Sequence, residues 1–133
     1  MVSGVVDTHA YVWYLNADQR LSTTAKQFID AATQAGNEIG VSAIVLVEVV
    51  YLVEKGRLPA DMLARMIADL HSPDTVFTEI PLSIAVAQAL QQVPRSDVPD
   101  MPDRIIAATA LSLAVPVISR DSKIQAAQIA TIW

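Results

Sequence analysis

The sequence predicts an α/β fold, with a mostly parallel central sheet and helices on both faces. Three observations carry that expectation. Short β-branched runs alternate with helix-length segments along the whole chain. The first run reads as a buried strand, as parallel sheets covered on both sides require. The 133 residues contain no repeat, low-complexity tract or linker, so residues 1–133 fit a single domain.

The elements follow in order. Residues 2–7 form a β-branched run that ends in an acid, a buried strand. Residues 9–15 suit a short helix. Ser22 opens a second helix over 23–35, with Phe28, Ile29 and Ala32 on its apolar face and Gly36 as its stop. Residues 38–41 are a second strand. Ser42 then reads as the N-cap of a helix running to Lys55, with Gly56 beyond it. Val and Ile dominate that segment, but a dozen residues exceed the usual strand length. A helix over 61–70, a strand over 76–80 and a helix over 82–91 come next. The Pro-rich stretch 94–102 is a loop, and Asp100 and Pro102 open a long helix through Leu113. A strand over 115–119, a short helix over 121–127 and a last strand over 129–133 complete the chain.

Composition narrows the function. Apolar residues make up 53% and charged residues 17%, which supplies a core and argues against disorder. With no cysteine, disulfides, zinc–thiolate sites and thiol catalysis are excluded. The longest apolar run, 44–53, is broken by Glu48 and is too short to span a bilayer. No basic start followed by an apolar stretch marks a signal peptide, so the expected location is cytoplasmic, away from membranes. The net charge of −5 argues against a simple RNA-binding module, because phosphate contacts call for a basic surface. It argues less against a metal nuclease, whose site must be acidic.

The acids fall where such a sheet gathers ligands, beyond the carboxyl ends of its strands. Asp7 and Asp121 follow strands. Asp103 lies in the first turn of the 100–113 helix, and Glu48 in the second turn of the 43–55 helix. Asp7, Asp103 and Asp121 each have a second reading, as a helix cap or a first-turn acid favoured by the helix dipole. Glu48 stands among Ile44, Val45, Leu46, Val47, Val49, Val50, Leu52 and Val53. A helix apolar nearly all round is expected to be buried, and a carboxylate there must be paired, protonated or metal-bound. Arg104 or Arg120 would be its partner in a purely structural reading. The remaining acids, among them Asp18, Asp30 and Asp69, read as surface groups. His9 and His71 read as structural or exposed. Tyr11, Trp13, Tyr14 and Tyr51 suit core or interface better than base stacking.

Four segments together resemble a known family. Val5-Val6-Asp7-Thr8-His9 is similar to its opening motif, an Asp ending the first strand. Val41-Ser42-Ala43-Ile44 followed by Glu48 resembles its second. Asp103-Arg104-Ile105-Ile106-Ala107-Ala108-Thr109-Ala110 resembles the third helix motif, the most specific match. Val117-Ile118-Ser119-Arg120-Asp121 resembles the fourth, with Ser119 where Thr is frequent and Ile124 near the place of a frequent aromatic. The family is that of the PIN domains, and within it the toxin nucleases of VapBC-type toxin–antitoxin modules. The match runs from about residue 4 to 133. The resemblance implies a three-layer sandwich and a ribonuclease whose product carries a 5′-phosphate. It also implies a homodimer and a cognate antitoxin partner.

Oxygen ligands without cysteine point to Mg²⁺ or Mn²⁺. In this reading Asp7 and Asp103 are direct ligands and Asp121 completes the shell. Glu48 positions the attacking water or accepts its proton. Thr8, Ser42 and Ser119 either hold carboxylates or phosphate or simply cap, and Asp100 is a supporting acid or a cap. Arg104 and Arg120 offset the acids, touch the RNA backbone or form structural ion pairs. Two rivals stand beside this reading. One is a catalytically silent PIN-like module that docks a partner protein. The other is a phosphoacceptor α/β domain, for which Lys123 is misplaced.

Overall fold

Five short strands and seven helices alternate along the chain in a computed structural model that describes residues 1–127 and 129–133. The strands are β1 (Val2–Val6), β2 (Glu38–Ser42), β3 (Phe77–Ile80), β4 (Val117–Ile118) and β5 (Thr131–Ile132). The helices are α1 (Thr8–Leu15), α2 (Thr23–Ala35), α3 (Ala43–Glu54), α4 (Met62–His71), α5 (Ile84–Leu90), α6 (Met101–Leu113) and α7 (Ser122–Ala126).

All four strand pairings are parallel, in the order β3-β2-β1-β4-β5. Successive residues of a strand point to opposite faces. Gly4, Val5 and Val6 are nonetheless all buried, as are Ile39, Gly40, Val41 and Ser42. Both faces of the central strands are therefore covered, as the apolar runs require. At Gly4 the cover is close: a Cβ there would sit 2.8 Å from Cε1 of Phe28, so only glycine lets α2 approach β1 this tightly. Helix α6 packs across β1, β2 and β4. Its buried residues, Ile106 to Ala110, are mostly alanine, which admits a close helix–sheet contact.

Local chemistry sets the helix ends. Ser22 accepts from the Ala25 amide at 3.0 Å, and Gly36 closes α2 in the left-handed region at φ 73°. Ser42 accepts from the Ile44 amide at 3.3 Å. Gly56, at φ 72°, turns the chain after α3.

Three strand and helix bounds are shorter than expected. β4 covers only Val117–Ile118, because Ala114 takes a left-handed turn at φ 55° and Pro116 has no amide to donate. The Pro116 carbonyl still accepts from the Val5 amide at 2.9 Å. α5 begins at Ile84 rather than at 82, where the Ser83 hydroxyl caps the Val86 amide at 3.4 Å. β5 is two residues long.

α3 departs from its sequence expectation. Val47 (48% exposed), Val50 and Tyr51 (60% exposed) form a bare stripe at i, i+3 and i+4. Only Ile44, Val45 and Val49 are buried in the core, so high apolar content did not bury every face of this helix.

Asp69 is likewise no plain surface acid. Its carboxylate accepts from the buried Tyr11 hydroxyl at 2.6 Å and from Thr75 at 3.2 Å, tying α1 to α4. Tyr11 in turn packs its ring 4.6 Å from Phe77 on β3. Removing the phenol by Tyr11→Phe should destabilise the protein by about 1–2 kcal/mol. A urea midpoint shift of that size, with an unchanged slope, is the expected result.

Candidate active site

The strand order reverses direction between β1 and β4: from β1 the chain adds β2 and β3 on one side, then β4 and β5 on the other. Such a switch point leaves a crevice at the carboxyl ends of the strands. Asp7 follows β1 directly, and Ser119, Arg120 and Asp121 follow β4. The Asp7 amide donates to the Ile118 carbonyl at 3.1 Å, so the two strand ends stay side by side as the chains diverge.

A cleft of about 720 Å³ opens there. Asp7, Glu48, Asp100, Asp103 and Asp121 line it, together with His9, Trp13, Arg20, Arg57 and Arg120. The four acids expected from the sequence, and Asp100 with them, thus meet in one place. They arrive from the end of β1, the second turn of α3, the start of α6 and the start of α7.

Three of these acids are also helix caps. Oδ1 of Asp7 accepts from the Ala10 amide at 2.9 Å. Oδ1 of Asp121 accepts from the Lys123 and Ile124 amides at 2.9 and 3.0 Å. Oδ2 of Asp100 accepts from the Asp103 amide at 3.1 Å. Each cap engages one carboxylate oxygen and fixes the orientation of the group. The other oxygen makes no amide contact. Capping and a place in the cleft are therefore compatible, where the sequence offered them as alternatives.

Hydroxyls support the acids. Thr8 donates to Oε1 of Glu48, linking the first turn of α1 to α3. Ser119, fully buried, accepts from the Asp121 amide at 3.0 Å and lies beside Asp7. Ser42 is buried as the cap of α3 and does not line the cleft.

Crowding of like charges shows in the protonation of Asp103. Its pKa is pushed up to about 8, first by burial and then by Asp100, Asp121, Glu48 and Asp7. Burial also raises Asp7. The Ser119 hydroxyl, the Ala10 amide and His9 work against that rise, and Asp121 adds to it. Among the described residues, no three acidic or histidine side chains stand close enough to form a ready cage for an ion. The donor set itself is all oxygen, which suits a hard dication. Its mutual repulsion is what such a charge would relieve.

The arginines are placed differently from expectation. Arg104 does not pair with Glu48 or the other acids. Its Nε donates to the Val93 carbonyl at 2.7 Å and its Nη2 to the Leu90 carbonyl at 3.0 Å. It satisfies carbonyls at the end of α5 and locks α6 against it, the usual use of a cation at a helix C-terminus. Arg20 and Arg57, with Trp13, are cleft residues that the sequence did not reveal. They lie in loops and at a helix edge, and no local pattern marks them. Trp13 and Tyr11 are buried, so neither is free to stack on a base.

Comparison with known proteins gives a consistent pattern. The PIN domain family model matches residues 4–130. The ribonuclease VapC22 of Mycobacterium tuberculosis is 26% identical over 125 residues, covering 94% of this chain and 92% of that protein. VapBC2 from Rickettsia felis, solved bound to a DNA fragment from its promoter, has a TM-score of 0.70 at 16% identity. That match spans 98% of this chain and 97% of the other. VapC20 of Mycobacterium tuberculosis, a toxin that cleaves the sarcin–ricin loop, has a TM-score of 0.63 at 21% identity, over 96% and 97%. At these identities the solved structures establish the fold.

Asp103 gives a stability prediction with a definite sign. Its folded pKa of about 8 lies above its ordinary value of 3.8, so the folded state holds the proton more tightly. Its contribution is favourable at low pH and is lost as pH rises through 4 towards 8. In metal-free buffer, Asp103→Asn should therefore raise the melting temperature at pH 8 and change it little at pH 4. Equal effects at the two pH values would contradict the raised pKa.

Proposed function

Because the chain belongs to the PIN-domain family, we propose that it is a metal-dependent endoribonuclease, folded as one domain of 133 residues. We further propose that it is the toxin of a VapBC-type pair. The convergence of Asp7, Glu48, Asp103 and Asp121 on one cleft at the switch point of the sheet is the observation that carries this reading.

Asp7, Asp103 and Asp121 would hold Mg²⁺ or Mn²⁺ through carboxylate oxygens. When bound, the dication supplies a water of lowered pKa and offsets charge that builds on the scissile phosphate. The helix caps on Asp7 and Asp121 keep those carboxylates from rotating. Glu48, one of its oxygens occupied by Thr8, has the second oxygen to accept the proton of the attacking water. The water oxygen bonds to phosphorus, the bond to the leaving 3′ oxygen breaks, and that oxygen takes up a proton from solvent. One fragment then ends in a 5′-phosphate and the other in a 3′-hydroxyl. Five carboxylates share the cleft with Arg57 and Arg120, Arg20 being neutralised by Asp18, so one divalent cation would reduce the formal charge from −3 to −1. A polyanion then meets far less repulsion there. That accounts for an RNA-cutting role in a chain of net charge −5.

Homodimerisation and an antitoxin partner belong to the same proposal. The bare α3 stripe of Val47, Val50 and Tyr51 supports a protein contact, since an exposed apolar face of this kind favours burial against a partner. No helix is long and apolar enough to cross a membrane among the described residues.

A structured RNA pool, incubated with the protein and Mg²⁺ or Mn²⁺, should be cut, and EDTA should stop the cutting. The Asp7→Asn, Asp103→Asn double variant should be inactive. Glu48→Gln should lower kcat by about 100-fold or more with a smaller change in KM. Wild-type protein that neither cuts RNA nor binds metal would make the silent docking module the better reading.

A further inference from the structure

We propose that two arginines lining this cleft, Arg57 and Arg120, the latter over the Trp13 ring, form a second phosphate subsite that seats the RNA backbone away from the scissile bond. The inference rests on the nuclease reading and gives two arginines, counted there only for their charge, a place on the substrate.

The arginines reach the cleft from separate places. Arg20 comes from the loop between α1 and α2, Arg57 from the turn after α3 and Arg120 from the turn after β4. Arg20 is committed: its Nε and Nη2 hold the Asp18 carboxylate at 3.1 and 2.7 Å. Arg120 is not. It adjoins Asp121 in sequence, yet its guanidinium carbon stands 4.6 Å from the Trp13 ring centroid instead of forming an ion pair. Among the described residues, neither Arg57 nor Arg120 forms an ion pair or donates a side-chain hydrogen bond.

Trp13 is 4% exposed, and the guanidinium carbon of Arg20 stands 5.2 Å from its ring centroid. An indole so enclosed cannot bind a base, but it can hold a guanidinium still. A guanidinium over an aromatic ring keeps its N–H fork available in its own plane, the geometry that matches a phosphate bidentately. A neutralising role would place Arg120 against Asp121, and the structure does not do so. The cleft thus offers, besides its acids for the reacting phosphate, two uncommitted guanidinium groups for a neighbouring one. Its substrate is a strand with at least two phosphates across the site.

The test is binding, read apart from catalysis. Fluorescein-labelled single-stranded RNA is titrated with the Asp7→Asn, Asp103→Asn double variant, which by the reading above does not cut, over roughly 50–200 mM KCl. Adding Arg57→Gln or Arg120→Gln to that background should make the slope of log K against log salt shallower by about 0.7 each, one phosphate contact apiece. Arg95→Gln, an exposed arginine outside the cleft, serves as control and should leave the slope unchanged. In the otherwise wild-type enzyme, Arg120→Gln should raise KM for RNA about tenfold and spare kcat. Cutting by the wild type, with slope and KM untouched in both arginine variants, would overturn the subsite and leave the nuclease reading standing. A wild type that neither cuts nor binds RNA would overturn both.

Discussion

The register of β1 between β2 and β4 is the constraint from which the acidic cleft follows. Val5 and Val6 pair with Gly40 and Val41 on one side and with Val117 and Ile118 on the other. That double pairing brings β1 and β4 to an end at the same level, and the amide of Asp7 is still bonded to Ile118 beyond the last strand residue. The chain leaves the two strands towards different helices, so a crevice must open where they part. α6, lying across β1, β2 and β4, carries Asp100 and Asp103 to its edge. Slipping this register would scatter the acids and invert the buried faces together. Core packing and the site are therefore one specification.

The cleft concentrates negative charge at some cost to stability. Burial and four neighbouring carboxylates hold Asp103 far above its ordinary pKa, and the arginines nearby do little to relieve it. Arg104 is spent on backbone carbonyls, Arg20 on Asp18, and Arg120 lies over Trp13. A fold selected for stability alone would neutralise these acids. Strained electrostatics retained in a cleft is the pattern expected of a functional site. The caps on Asp7, Asp100 and Asp121 offset part of the cost, because each fixes a repelled carboxylate with amides that the helix would otherwise leave unpaired.

Much of this was legible before any coordinates. Ser22, Gly36 and Ser42 mark helix ends where they occur, because capping depends on residues three or four apart. Asp7, Glu48, Asp103 and Asp121 stood out through their positions after strands and in first turns. Arg104 misled, since its neighbour Asp103 suggested an electrostatic role, while its reach is set by the loop at Val93. α3 misled as well. Its composition implied burial all round, but the sheet and its neighbouring helices cover only part of its circumference.

The sequence by itself determined the parallel α/β class, the order of elements and the identity of the acids, because these depend on periodicity and on local hydrogen-bonding chemistry. Tertiary structure alone decided that the acids share one cleft, that Asp100 joins them, and that Arg57, Arg120 and Trp13 line it too. It also decided that Asp69 anchors Tyr11 from 58 residues away. Such meetings depend on which strand lies beside which and on how far each helix reaches. Those quantities are fixed when the whole core packs, and no short stretch of chain contains them.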